Sequence, residues 1–324
     1  MLNLRPKMFR EASSSYVKHS IPVKLLIFIS AFVVITILES IIPSLLTTPR
    51  ILKEIAADPL YSSGKKQLTL SESMKISAKY INLPEIMIPN LLCTAFGTIV
   101  SLFCCRCVEM RHISSMGVRK QRVLPHYLTG LGAGAILITA TTFLTVLSGA
   151  NRISLCSSIN FHIILLYLLG FFVQGMSEEF IFRGYLMSSL GSRNTTIAIA
   201  VNSAAFGIAH GLNPGLTPLA MVNLILFGLF ASFYVILFDD IWGACGIHTV
   251  WNFMQGNIYG ISVSGSGRSE SVFQVDQRSS HSFLTGGAFG IEGSIFTTIV
   301  LLTASVIVLY AIKRRYGQKD VSDI

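Results

Sequence analysis

The sequence predicts an all-α fold, a polytopic membrane helix bundle of about eight transmembrane helices. Charged residues make up only 13% of the 324, where a soluble domain carries about a quarter. Apolar stretches recur at the roughly 20-residue length that a bilayer core requires, and the mean hydropathy is +0.63. The net charge of +9 comes from Lys and Arg clustered just outside apolar runs. That distribution marks membrane topology and anionic headgroups rather than a nucleic-acid surface.

Eight spans are expected, at about 23–46, 86–105, 127–149, 160–180, 196–212, 218–238, 241–260 and 294–312. The first, Val23 to Leu46, is too long for a signal-peptide core and ends without a small-residue cleavage site, so it is expected to remain as a membrane helix. In the long loop 47–82, Thr69 followed by Glu72 fits a capping box, which predicts a short interfacial helix from Ser71 to Ile81. Gly130, Gly132 and Gly134 suit close helix packing in the third span. The fourth is expected to run on to about Leu190, with Gly191 as its stop. Asp239 and Asp240 fall in a tight turn and are expected to be solvated, and the Ser/Gly-rich stretch Ser262 to Gly290 reads as an outer loop that gates or receives substrate.

The chain therefore divides into a basic N-terminus (1–22), N-terminal helices and loops (23–124), a core domain (125–260), a Gly/Ser-rich loop (261–293) and a last helix with a basic tail (294–324). Orientation follows from Lys and Arg. Arg5, Lys7, Arg10, Lys18 and Lys24 precede the first span. Arg106, Arg111, Arg119, Lys120 and Arg122 lie between the second and third, and Lys313, Arg314, Arg315 and Lys319 follow the last. Eight spans put all three clusters on one side, the cytoplasmic side by the positive-inside rule, with both termini inside. The loop 47–82 holds six basic residues on the other side, but long loops weigh less in that rule. Six cysteines include the run Cys104, Cys105 and Cys107, but no second half of a metal motif follows, and small buried residues are their expected role.

Ionisable groups inside spans cost at least ~2.5 kcal/mol each and mark a function or a partner. Three segments concentrate them: Ser177-Glu178-Glu179-Phe180-Ile181-Phe182-Arg183, Phe206-Gly207-Ile208-Ala209-His210, and His248-Thr249-Val250-Trp251-Asn252. Glu179 and Arg183 are spaced i, i+4 with the acid first, the favourable order for an ion pair. Glu178 points about 100° away on the same helix and has no such partner. An unpaired carboxylate in an apolar setting is a candidate general base. The fourth and fifth spans form a hairpin turning near Asn194, with Glu178 sixteen residues before that turn and His210 sixteen after. At ~1.5 Å per residue both lie roughly 24 Å from the turn, hence level. His248 and Asn252 share one face of the seventh span.

A glutamate can deprotonate water, a histidine can orient it, and His or Asn donors can hold an oxyanion, which together suffice for amide hydrolysis. Glu178, His210 and His248 equally match the ligand set of a catalytic zinc site, although HExxH is absent. Alone, either histidine is more simply a satisfied core residue. His126, His162 and His281 carry no motif, and Glu39 in the first span is unpaired in sequence.

The three segments, Glu-Glu-x-x-x-Arg, Phe-x-x-x-His and His-x-x-x-Asn in that order, resemble the CPBP family of intramembrane proteases. That family includes the type II CAAX prenyl endopeptidases and the bacterial bacteriocin-processing and self-immunity (Abi) proteins. The resemblance covers roughly 125–260, and Gly290-Ile291-Glu292-Gly293 looks like bacterial members. It implies that Glu178 activates water with His210 while His248 and Asn252 form an oxyanion hole. It further implies a membrane-associated peptide or protein substrate and a bacterial plasma-membrane location. Members are commonly labelled metalloproteases, so the cofactor stands between a divalent metal such as zinc and none. A eukaryotic relative would act on a cytoplasmic prenylated protein. Two other functions compete: a catalytically silent protein conferring immunity by binding a bacteriocin, and a transporter. The first predicts a lost catalytic residue and the second an internal repeat; every motif position is filled and no repeat is visible.

Overall fold

Hydrocarbon offers no partner to backbone N–H and C=O groups, so an apolar chain must satisfy them along its own helices. The computed structural model, which describes residues 5–63 and 67–317, is built in that way. Its main helices are α1 (Lys7–Ser13), α2 (Ile21–Ala57), α3 (Leu70–Ile81), α4 (Pro84–Val108), α5 (Val123–Leu147), α6 (Phe161–Gly191), α7 (Thr195–Ala209), α8 (Pro218–Phe238), α9 (Trp242–Phe253) and α10 (Ile295–Gly317). Local signals set several starts. Thr69 and Glu72 form the expected capping box on α3, Asn194 caps α7, and Thr217 with Pro218 opens α8.

The chain is thus an integral, multi-pass helical membrane bundle, as the sequence predicts, and two details refine that reading. Among the described residues six helices, α2, α4, α5, α6, α8 and α10, are long and apolar enough to cross a bilayer, where eight spans were expected. The fifth and seventh expected spans become α7, of 15 residues with His210 as its C-cap, and α9, of 12 residues, which continues into a π-helical turn at Met254–Ile258. The fold is also not purely helical. Strands β1 (Asn151–Leu155) and β2 (Phe273–Gln277) pair antiparallel, tying the Gly/Ser-rich stretch to the connection before α6.

The three basic clusters gather at one end. Met8 donates its backbone N–H to Asp239 at 3.0 Å, Arg119 pairs with Asp239 at 2.9 Å, and Arg315 donates to the Leu237 carbonyl at 2.5 Å. Asp239 and Asp240 are therefore not solvated turn residues. Asp240 is buried and meets His126 of α5 at 2.5 Å, and α1 and the loop before α5 fold over the α8–α9 turn, supplying the Met8 N–H and the Arg119 cation to Asp239. Below them Glu109, Arg111, Lys24, Ser188 and Ser189 form a buried polar knot. At the opposite end lie α3, β1, β2 and the segment 259–294.

Helices α5 and α9 touch backbone to backbone. A Cβ at Gly130 would sit 2.0 Å from the Gly243 carbonyl oxygen, and one at Gly134 2.7 Å from that of Ile247. Gly132 faces open space, so its expected packing role is not met. Gly130→Ala should therefore separate the two helices and lower stability by about 1–3 kcal/mol, whereas Gly132→Ala should leave it unchanged. Thermal unfolding of the two variants in detergent distinguishes them, and equal midpoints would contradict this packing.

Candidate active site

Helix α6 supplies two carboxylates, and their fates differ because adjacent helical residues point about 100° apart. Glu179 and Arg183 are both 0% exposed and pair at 2.8 Å. The Arg183 guanidinium lies 4.5 Å over the Phe206 ring, a contact favoured by the ring quadrupole. The same Glu179 oxygen, Oε1, meets His248 Nδ1 at 2.9 Å. A carboxylate can only accept, so His248 carries a proton on Nδ1. Close approach of α9 to α6 makes this contact possible: a Cβ at Gly175 would lie 2.7 Å from the Thr249 backbone nitrogen.

Glu178 turns toward a cavity. Its Oε1 accepts a hydrogen bond from the Gln174 amide. Its Oε2 is buried and accepts no hydrogen bond from the described residues. That oxygen faces two imidazoles, His210 Nε2 at 3.9 Å and His248 Nε2 at 3.7 Å. His210 Nδ1 lies 2.8 Å from the Phe206 carbonyl, which accepts its proton and leaves Nε2 as a lone-pair acceptor in the neutral ring. The level placement of Glu178 and His210 expected from the hairpin is thus present, and His248 and Asn252 join them.

Asn252 donates its amide to Gln174 Oε1 at 2.9 Å, so Asn252, Gln174 and Glu178 form one chain. Sequence reasoning passed over Gln174. Its signal was available: it is the one amide in an apolar run, a single turn before Glu178. Glu292 was also passed over as a site residue. It lines the cavity and accepts hydrogen bonds from the Ser264 backbone at 2.7 Å and from Gln255 at 3.1 Å. Burial pushes the Glu292 carboxyl upward, and the Ser264 and Gln255 donors oppose that shift. His162 and His281 are exposed and outside the cavity, and Glu39, half-buried on α2, is not among the residues lining it.

The cavity holds about 460 Å³, within the size range of small-ligand pockets. Leu91, Phe171, Phe227, Trp251 and Leu301 form apolar walls, and the segment Val263 to Gly267 borders it together with α3 residues. No Lys or Arg is among its described lining residues. As a metal site the donor set does not fit. Tetrahedral zinc with ~2.0 Å bonds needs about 3.3 Å between donors, against the 3.9 and 3.7 Å here. Among the described residues no group of three or more His, Cys, Asp or Glu is arranged to hold a metal ion.

Residues 160–254 match the family model described as type II CAAX prenyl endopeptidase Rce1-like. The match spans under a third of the chain but contains all of Glu178, Glu179, Arg183, His210, His248 and Asn252. No significant match to a curated protein or to a solved structure was found. The matched segment supports the CPBP/CAAX protease family and, within a multi-pass bundle, a CAAX-type intramembrane endopeptidase, a hydrolase.

Removing Arg183 strands a fully buried carboxylate. Arg183→Ala should therefore cost on the order of 3–5 kcal/mol and lower the thermal midpoint of the purified protein. A midpoint equal to wild type would mean that the pair carries no structural role.

Proposed function

We propose that the chain hydrolyses a peptide bond of a membrane-associated peptide or protein, with water activated by Glu178. The observation that carries this reading is the disposition of Glu178. One carboxylate oxygen is tied to Gln174, while the other faces His210 and His248 at the wall of an apolar cavity. A water there can give one hydrogen bond to Glu178 Oε2 and the other to His210 Nε2, which aims its lone pair at a substrate carbonyl.

Attack forms the C–O bond and moves the water proton to Glu178. The oxyanion that develops needs donors. Asn252 uses one amide N–H on Gln174 and retains the second. His248 can donate from Nε2 only as an imidazolium, since Nδ1–H is committed to Glu179. Such a cation would face both carboxylates, which favours it electrostatically. Collapse breaks the C–N bond as the oxyanion re-forms the C=O bond and Glu178 passes its proton to the leaving amine, which returns Glu178 to its ionised form. The new carboxylic acid then gives its proton to the amine or to solvent. Arg183 reaches no reacting atom and acts by holding Glu179.

Glu178→Gln keeps the shape and removes the base, so it should abolish proteolysis while leaving expression and insertion intact. Comparing peptides in membranes from cells carrying wild type or Glu178→Gln tests this: new termini dependent on the wild-type chain are expected, and identical profiles would refute it. With a substrate so identified, Asn252→Ala should lower kcat about 10²–10³-fold with little change in KM. Loss of activity together with stoichiometric zinc, and its restoration by zinc, would instead assign α9 to a metal shell.

A further inference from the structure

We propose that the catalytic cavity is loaded from the non-cytoplasmic side, so that its substrate is an apolar peptide segment presented at that face rather than a cytoplasmic lipidated C-terminus. The inference rests on the proteolytic reading only for the word substrate; the direction of access is a separate claim.

Direction follows from chain polarity. Helices α2, α6 and α8 all run between the basic end and the end that carries α3 and β1–β2. The cavity is lined by the start of α4 (Met87, Asn90), the start of α8 (Asn223, Leu224) and the start of α10 (Thr297, Leu301). Those three starts all lie at the end away from the basic clusters. Residues of α3, 213–214 and 263–267, which belong to that same end, line it as well, and the floor is formed at mid-depth by α6, α7 and α9 around Glu178, His210 and His248. No lining residue comes from 1–77, 95–170 or 302–317.

Toward the basic end the interior is filled. Phe182 packs on Phe206 at 5.3 Å and Phe206 on Phe227 at 5.7 Å between ring centroids. Beyond them the knot of Lys24, Glu109, Arg111 and Ser189 is buried, and Phe9 of α1 lies against Gly191. A substrate reaching Glu178 from that side would have to displace this packing.

The sidedness of the ends follows from Lys and Arg in short connections, which carry most weight. The connections at the closed end, 109–122 and 192–194, hold Arg111, Arg119, Lys120, Arg122 and Arg193. Those at the open end, 148–160 and 210–217, hold Arg152 alone. The basic residues of the longer segments there are partly committed locally: Lys79 to Glu54, Arg50 to Glu85 and Arg268 to Asp276. The closed end is therefore cytoplasmic. The open cavity has apolar walls, an amide- and hydroxyl-bearing rim at Asn82, Asn90, Asn213 and Ser266, and two carboxylates with no lining Lys or Arg. It suits an apolar or basic extended segment and disfavours an acidic one.

The full chain provides a test in intact bacterial cells with a membrane-impermeant maleimide. Cys107 is exposed at the closed end, whereas Cys93, Cys104, Cys105 and Cys245 are buried. Ser280, on the open-end segment, is exposed. Two chains are compared. One carries Cys156→Ser and keeps Cys107; the other carries Cys156→Ser, Cys107→Ser and Ser280→Cys. The second should label as fully in intact as in permeabilised cells, and the first only after permeabilisation. The reverse pattern overturns the proposal. Should either variant fail to accumulate, C-terminal fusions of the unsubstituted chain read the same quantity: a fluorescent protein should light and an alkaline phosphatase stay silent, and the opposite pair of results overturns it. Labelling needs no turnover, so reversed sidedness with proteolysis intact removes this inference alone, and correct sidedness without proteolysis removes only the enzymatic reading.

Discussion

A pair of opposite charges that cannot reach water governs this molecule. Glu179 and Arg183 are fully buried, and desolvating two such ions costs several kcal/mol each, which their attraction offsets only with good geometry. The geometry here recruits neighbours. Arg183 lies over Phe206 of α7, and Glu179 shares one oxygen between Arg183 and His248 of α9. One ion pair thereby fixes three helices to one another at membrane depth. It also fixes the His248 ring, because with Nδ1 held by Glu179 the opposite nitrogen has to point at Glu178. The reactive arrangement follows from satisfying a structural one.

The same economy explains why the bundle has unlike ends. Helices that cross completely bring their loops to both faces, but α7 ends at His210, at the level of the site. The connection that follows it contributes Asn213 and Pro214 to the cavity wall. On the other side of the ion pair, aromatic rings occupy the volume that remains, and the Met8 N–H of α1, Arg119 of the 109–122 connection and Arg315 of α10 close over Asp239 and the Leu237 carbonyl. The segment 262–267 is fastened across the open side by Glu292, which accepts from Ser264 and Gln255. A carboxylate held by backbone and amide donors, with no cation, keeps that loop ordered without adding positive charge beside Glu178.

Much of this was legible in the sequence where a local rule applied. The i, i+4 pairing of Glu179 with Arg183 needs only helical periodicity, and the level placement of Glu178 and His210 needs only a rise per residue and a turn at Asn194. The capping box at Thr69 is equally local. What escaped depends on partners far away in the chain. Asp239 and Asp240 resemble turn residues until α1 and Arg119 arrive from over a hundred residues away. In the sequence Gly132 groups with Gly130 and Gly134, yet at i+2 it lies about 200° around the helix from Gly130 and faces outward, which helical periodicity alone could have shown. The widened π-helical turns at Phe180–Met187 and Met254–Ile258, which follow Glu179 and the His248–Asn252 segment directly, have no composition that announces them. Hydropathy counted α7 and α9 as spans because it measures apolarity and not where a helix is obliged to stop.

Gln174 shows what a site requires beyond its charged members. A carboxylate with both oxygens free can rotate about its last bond, and its basic lone pairs then sweep the cavity. The Gln174 amide removes that freedom at one oxygen, while its own carbonyl is pinned by Asn252, a residue one turn from His248 on the same helix. Glu178, His248 and Asn252 are consequently held by two hydrogen-bonded links between α6 and α9, Asn252 to Gln174 and His248 to Glu179. Geometry that must be kept within fractions of an ångström is thus carried by the interface of two packed helices, while the polar segments at the cavity rim, 213–214 and 263–267, lie outside that interface.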